Sequence, residues 1–120
     1  MLKVKSVLAF AAVVEIATGV TLLLTPSLIG QWLFATDLVG IAITIARVTG
    51  IALIGLGVAC GPGTPRLGML TYSATVALYL AYVGYSGGPS GRLLWPVVVA
   101  HIVIAALLAR AIARDTATRT

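Results

Sequence analysis

Between Lys5 and Arg110 the formal charges are Glu15, Asp37, Arg47, Arg66 and Arg92, and long apolar runs fill the space between them. A chain so poor in charge cannot clothe a water-facing surface. Soluble domains carry about 25% charged residues, against 9% here, with 60% hydrophobic residues and a mean hydropathy of +1.11. The class this dictates is an integral membrane protein. A membrane-crossing helix takes about 20 apolar residues, so 120 residues hold about four spans and little else, in a single domain over 1–120.

The turn signals divide the chain. Span one covers about 4–24, between Lys3/Lys5 and Thr25-Pro26. A cleaved signal peptide would also begin with basic residues before an apolar run, but Glu15 interrupts this run and no small-x-small site follows it. The stretch Pro26 to Asp37 is too short to span. In it Leu28, Ile29, Trp32 and Leu33 recur at helical spacing, which predicts a short helix lying in the membrane interface. Span two covers about 38–60 and ends at Gly61-Pro62-Gly63-Thr64-Pro65. Span three covers about 67–85 and ends at the Gly- and Ser-rich loop 86–91. Span four covers about 93–113, with Pro96 tolerated in its first turn, and a polar tail follows. The expected fold is all-α, an antiparallel four-helix transmembrane bundle with a short interfacial helix after span one.

The net charge of +5 does not mark a nucleic-acid binder, because the basic residues form no patch and interleave with no aromatics. They read as topology signals. With the N-terminus inside, Lys3, Lys5, Arg66, Arg110, Arg114 and Arg119 face the cytoplasm and Arg92 faces out, which satisfies the positive-inside rule with both termini cytoplasmic. The expected location is a bacterial cytoplasmic (inner) membrane. Trp32 and Trp95 then fall at the outer interface, where amphipathic rings anchor.

Ionisable residues inside spans cost about 2.5–3.5 kcal/mol each on insertion scales and mark function or pairing. Counted from the span ends, Glu15 and Arg47 both lie ~13 Å inside the outer face, and His101 lies ~12 Å inside it. Thr75 and Tyr79 fall in the same layer, ~9–15 Å deep. The expectation is a Glu15–Arg47 ion pair within a polar layer that Thr75, Tyr79 and His101 extend. Ala11, Ala12, Thr18 and Gly19 flank Glu15, and Gly40, Thr44 and Gly50 flank Arg47, which suits helix contact rather than lipid contact. The stripe Tyr72, Thr75, Tyr79, Tyr82 and Ser86 is expected to point inward.

Each residue also has a structural reading. A buried pair can fix helix register without doing chemistry. His101 can be a hydrogen-bonded core residue or an axial ligand to a haem or chlorin. Gly50, Gly55 and Gly57 are read as close helix contacts, and Cys60 as an inert apolar residue. The lone cysteine excludes an intramolecular disulfide and the multi-cysteine metal patterns, so no metal site is expected. No phosphate loop, dinucleotide fingerprint or nucleophile elbow is present, and no catalytic residue is assigned. The segment Ala17-Thr18-Gly19-Val20 echoes Val48-Thr49-Gly50-Ile51 but is too short to establish a repeat.

Several segments carry a resemblance. They are Glu15 with Thr18-Gly19, then Thr25-Pro26, then Ala46-Arg47-Val48-Thr49-Gly50-Ile51-Ala52-Leu53, and finally Leu94-Trp95-Pro96 with His101. In these the chain resembles the small bacterial four-span proteins around the DoxX-like families, over nearly its whole length and mostly in architecture. Some such proteins are small subunits of quinone-linked membrane oxidoreductases. Many others have no assigned activity, and the function expected from the chain as a whole is a non-enzymatic membrane subunit or binding module, associated with itself or with a larger complex among the membrane lipids. Its polar layer would hold a lipid, a quinone or a pigment-like tetrapyrrole. Val14-Glu15-Ile16-Ala17-Thr18-Gly19 is also similar to span one of small multidrug-resistance exporters, whose essential glutamate exchanges protons. Span three lacks the tryptophan of those exporters, and an Arg47 paired with Glu15 would neutralise the carboxylate. A membrane enzyme with His101 and Glu15 as acid and base is a third class, without a recognisable constellation.

Overall fold

In lipid a backbone N–H or C=O has no water to bond, so apolar runs of this length must satisfy their polar groups internally as helix. The computed structural model, which describes residues 4–61 and 63–119, follows that rule. It is all-α, and among the described residues there is no strand. Helix α1 runs Val4–Leu24, α2 Pro26–Phe34, α3 Ile41–Cys60, α4 Pro65–Tyr85 and α5 Leu94–Arg119. All but α2 are long and apolar enough to cross a membrane. The chain is thus a small multi-pass membrane protein of four antiparallel spans, with a short helix after the first. Lys3 and Pro62, which entered the topology and turn readings, lie outside the described residues.

The boundaries have local causes. Thr25 is kept out of the helical region, at φ −136° and ψ 66°, by the proline that follows it, and this separates α1 from α2. Ala35 closes α2 in the left-handed conformation, φ 53°, and its N–H donates to the Gln31 carbonyl. Gly40 takes φ +60°, so α3 starts at Ile41 rather than Leu38. Thr64 caps α4 by accepting the Leu67 N–H at 3.2 Å, and Pro65 fills the first helical position, two residues before the expected start. The expected polar tail is helical through Arg119. It is held by an ion pair between Asp115 on α5 and Arg66 in the first turn of α4.

The helices pack in a row. Among the described residues α1 packs on α3, α3 on α4 and α4 on α5, while α1 and α5 do not meet. The molecule measures 49 × 43 × 17 Å, broad and thin. Its exposed surface is 8102 Å², where a compact protein of this mass exposes about 6,100 Å². The bundle is therefore open, with α1 and α5 as its edges. Lipid tails are as apolar as leucine, so packing rather than water exclusion must hold such helices together. Most of the buried residues along these contacts are small: Ala12 and Gly19 on α1, Gly50, Gly55 and Gly57 on α3, and Gly68, Ser73 and Ala77 on α4, with Leu22, Ile51, Val76 and Val83 among the larger ones. The contact role expected for Gly50, Gly55 and Gly57 is what they perform. A side-chain carbon on Gly57 would stand 2.5 Å from Ile16, and one on Gly55 would stand 2.9 Å from Tyr72.

Candidate functional site: the polar residues of the spans

The glycine contacts fix the register between neighbouring helices. Gly50 lies beside Gly19, Leu22 and Leu23, and Gly57 lies beside Ala12 and Ile16. This antiparallel register puts Arg47 level with Leu24 and Glu15 level with Leu56. The two charges are therefore about nine residues apart along α1, or ~13 Å. They form no ion pair, and the expected Glu15–Arg47 pair is overturned. The error lay in measuring both depths from the ends of the apolar runs. The start of α3 rises beyond the end of α1 to meet α2, so equal distances from the two ends are not equal depths.

The remaining polar residues divide differently from the expected single layer. Gly68 lies beside Gly55 and Ala59, and Gly84 beside Leu94 and Trp95. By these registers Tyr79 is level with Arg47, and His101 stands within about a turn of both. Thr75 is one turn further from that end. Arg47, Tyr79, His101 and Thr75 share one zone of the row on α3, α4 and α5, and Glu15 is outside it. Glu15 on α1 and His101 on α5 occupy helices that do not touch, so no acid–base pair forms between them.

Within the zone, hydrogen bonds stay local. The Thr75 hydroxyl donates to the Thr71 carbonyl of its own helix at 2.6 Å. The Nδ1 of His101 bonds the Val97 carbonyl of α5 at 2.9 Å. In an apolar surround the nearest free lone pair belongs to the carbonyl four residues back, and a hydroxyl takes it. Thr21, Thr49 and Thr71 do the same. The expected network reaching from Thr75 and His101 to the charges is not formed. Because a carbonyl only accepts, Nδ1 of His101 carries the proton of that bond, and in a neutral ring Nε2 is left as an acceptor. The ring meets Tyr72 edge to face, centroids 5.7 Å apart, which ties α4 to α5.

Arg47 and Ser73 are buried exceptions to local satisfaction. Arg47 as a whole is half-buried, and its Nε is buried without a hydrogen-bond partner. Ser73 is 0% exposed and its hydroxyl is likewise without a partner. Leaving a buried donor unpaired costs about 1–3 kcal/mol, more for a charged group. Glu15 is half-buried on the flank of α1 with Ala11, Thr18 and the buried Leu22.

Other expectations resolve as follows. The tyrosine stripe of α4 is only partly inward. Tyr72, Thr75 and Tyr79 are half-buried, whereas Tyr82 is 65% exposed and Ser86 is exposed. The row explains this, since α4 meets α3 on one side and α5 on another and leaves a flank open. Trp32 is exposed, as are Leu28, Leu33 and Phe34 of α2, while Pro26 and Gly30 face the protein. Trp95 packs edge to face on Tyr85 at 5.2 Å. Both tryptophans lie at the end of the molecule where α1 leaves and α3 and α5 begin. Among the described residues no cluster of three or more metal-ligating side chains forms. The Arg66–Asp115 pair was not foreseen, although opposite charges at the two ends of an α4–α5 hairpin are a usable signal. Neither orphaned atom, Arg47 Nε or Ser73 Oγ, can be read from sequence, since each depends on what the neighbouring helix presents.

Cavities occur elsewhere along the row. One of about 370 Å³ lies between α3 and α4 over Gly55, Gly68 and Tyr72. A second, of about 450 Å³, lies between the first turn of α4 and the end of α5. Compared with protein-family models, with curated proteins and with solved structures, the chain gives no match.

Proposed function

We propose that this chain is a small non-enzymatic subunit or binding module of the bacterial cytoplasmic membrane, and that Arg47 is its ligand-recognition residue. The observation that supports the reading is the buried, unpartnered Nε of Arg47, level with Tyr79 and His101. A cation whose buried Nε has no internal acceptor is stabilised by an acceptor brought from outside. A membrane ligand with a polar head and an apolar body meets that need: a lipid, a quinone or a tetrapyrrole. The free Nε2 of His101 is an acceptor for a quinol hydroxyl or a donor to a tetrapyrrole metal. The open row leaves α1 and α5 free for a second copy or a larger membrane complex, in keeping with the resemblance to DoxX-like subunits.

Gentle extraction, followed by mass spectrometry and an absorption spectrum of the same sample, tests this. A stoichiometric ligand that Arg47→Gln loses while the protein stays folded is the expected result. Equal retention by Arg47→Gln refutes the assignment. A reporter fused to the C-terminal end should read cytoplasmic, and a periplasmic reading overturns the topology.

A second reading has its own support. Glu15 lies free of Arg47, which lifts the main objection to a proton-coupled exporter built as a dimer. In that reading Glu15 exchanges protons for substrate. Proton-driven transport in vesicles, lost in Glu15→Gln and kept in Arg47→Gln, would favour it over the binding module.

A further inference from the structure

We infer that the corner between α4 and α5 is a phosphate site for an anionic amphiphile or a free phosphate. It is separate from the Arg47 zone and independent of the function proposed above. The cavity there is about 450 Å³, room for a phosphodiester with its flanking atoms. Ile112 gives the cavity an apolar edge on the side of the spans, and Pro65 at the tip of α4 adds a second apolar surface. The rest of the lining is polar, with Thr64 capping α4, Arg66 in its first turn, and Thr116 and Arg119 from α5. Along α5 the order from Ile112 to Arg119 runs from apolar to cationic, the order of a lipid, tails first and phosphate above.

The charges are arranged for an anion. Asp115 also lines the cavity and binds Arg66, which offsets one guanidinium and orients it. Arg66 keeps further N–H donors, since a guanidinium has five in a planar fork. Arg119 lies one turn beyond Asp115 on α5 and leaves the corner with net positive charge. Paired guanidiniums from two helices suit the bidentate geometry of phosphate. Thr64 accepts the Leu67 N–H, so its own hydroxyl hydrogen remains free to donate. The N-terminal end of α4 adds its positive dipole to the same corner. The pair also sits where the apolar part of α4 begins, the level at which a headgroup phosphate would stand.

The test is native mass spectrometry of the whole chain, released from phosphatidylcholine nanodiscs doped with phosphatidylglycerol. A basic residue near an anionic surface contributes about 1 kcal/mol, or about fivefold in affinity. Arg119→Gln, which leaves the Arg66–Asp115 pair intact, should retain about fivefold less phosphatidylglycerol. Arg92→Gln, at the far end of the molecule, should retain as much as the unmodified chain. Adding inorganic phosphate separates the sources. Displacement of the lipid by inorganic phosphate supports the site and assigns it to free phosphate, while lipid held against phosphate supports it and assigns a headgroup. Equal retention by Arg119→Gln and the unmodified chain, or an equal loss in Arg92→Gln, overturns the proposal.

Discussion

A side-chain carbon on Gly19 would stand 2.5 Å from the Gly50 carbonyl oxygen, and one on Gly50 would stand 2.5 Å from the Gly19 carbonyl oxygen. The relationship is reciprocal because the two helices are antiparallel and cross at these residues. Both obstacles are backbone, so neither can swing aside. Gly19→Ala and Gly50→Ala should each force α1 and α3 apart and cost about 1–3 kcal/mol. Reversible unfolding in detergent would measure this. Gly91→Ala is the control, since that glycine has open space around it, and it should stay within about 0.5 kcal/mol of the parent.

Glu15 and Arg47 should behave as independent residues. Their separation of ~13 Å along the helices predicts a coupling energy no greater than about 0.5 kcal/mol in a double-mutant cycle of Glu15→Gln and Arg47→Gln. Exchanging the two charges should rescue neither single variant. A coupling above about 1 kcal/mol would mean that the register described here is wrong.

Neighbourhood in the row can be read by crosslinking. In a Cys60→Ala background, Gly84→Cys with Leu94→Cys should crosslink within one chain, because Leu94 packs on Gly84. Phe10→Cys with Leu107→Cys should not, because α1 and α5 do not meet. An intramolecular crosslink in the second pair would mean a closed bundle.

Ser73 carries a hydroxyl that is fully buried and without a partner. Removing that group removes an uncompensated desolvation cost. Ser73→Ala should therefore raise stability by about 1 kcal/mol. A loss of stability would place an unseen acceptor, protein or ligand, against the hydroxyl.

The spans were legible because hydropathy and turn chemistry act locally. Pro26, Gly61, Gly63 and Pro65 punctuate the chain whatever surrounds them. The contact role of the small residues was legible too, and the two echoing segments meet at Gly19 and Gly50. Depth was not legible. It depends on how far α3 rises past the end of α1, and that is fixed by how α2 seats Gly30 against the loop at Thr36 and Leu38, a tertiary matter. The hydrogen-bond partners of Thr75 and His101 were missed for the opposite reason. The backbone of their own helix competes with any distant side chain, and in an apolar medium it wins.

The row has a kinetic consequence. Each span packs only on the span that precedes or follows it, so every helix finds its contact as soon as it is made. The protein can assemble in the order of its synthesis, hairpin by hairpin. No late, long-range closure between its first and last helices is required, and local contacts of this kind form fastest.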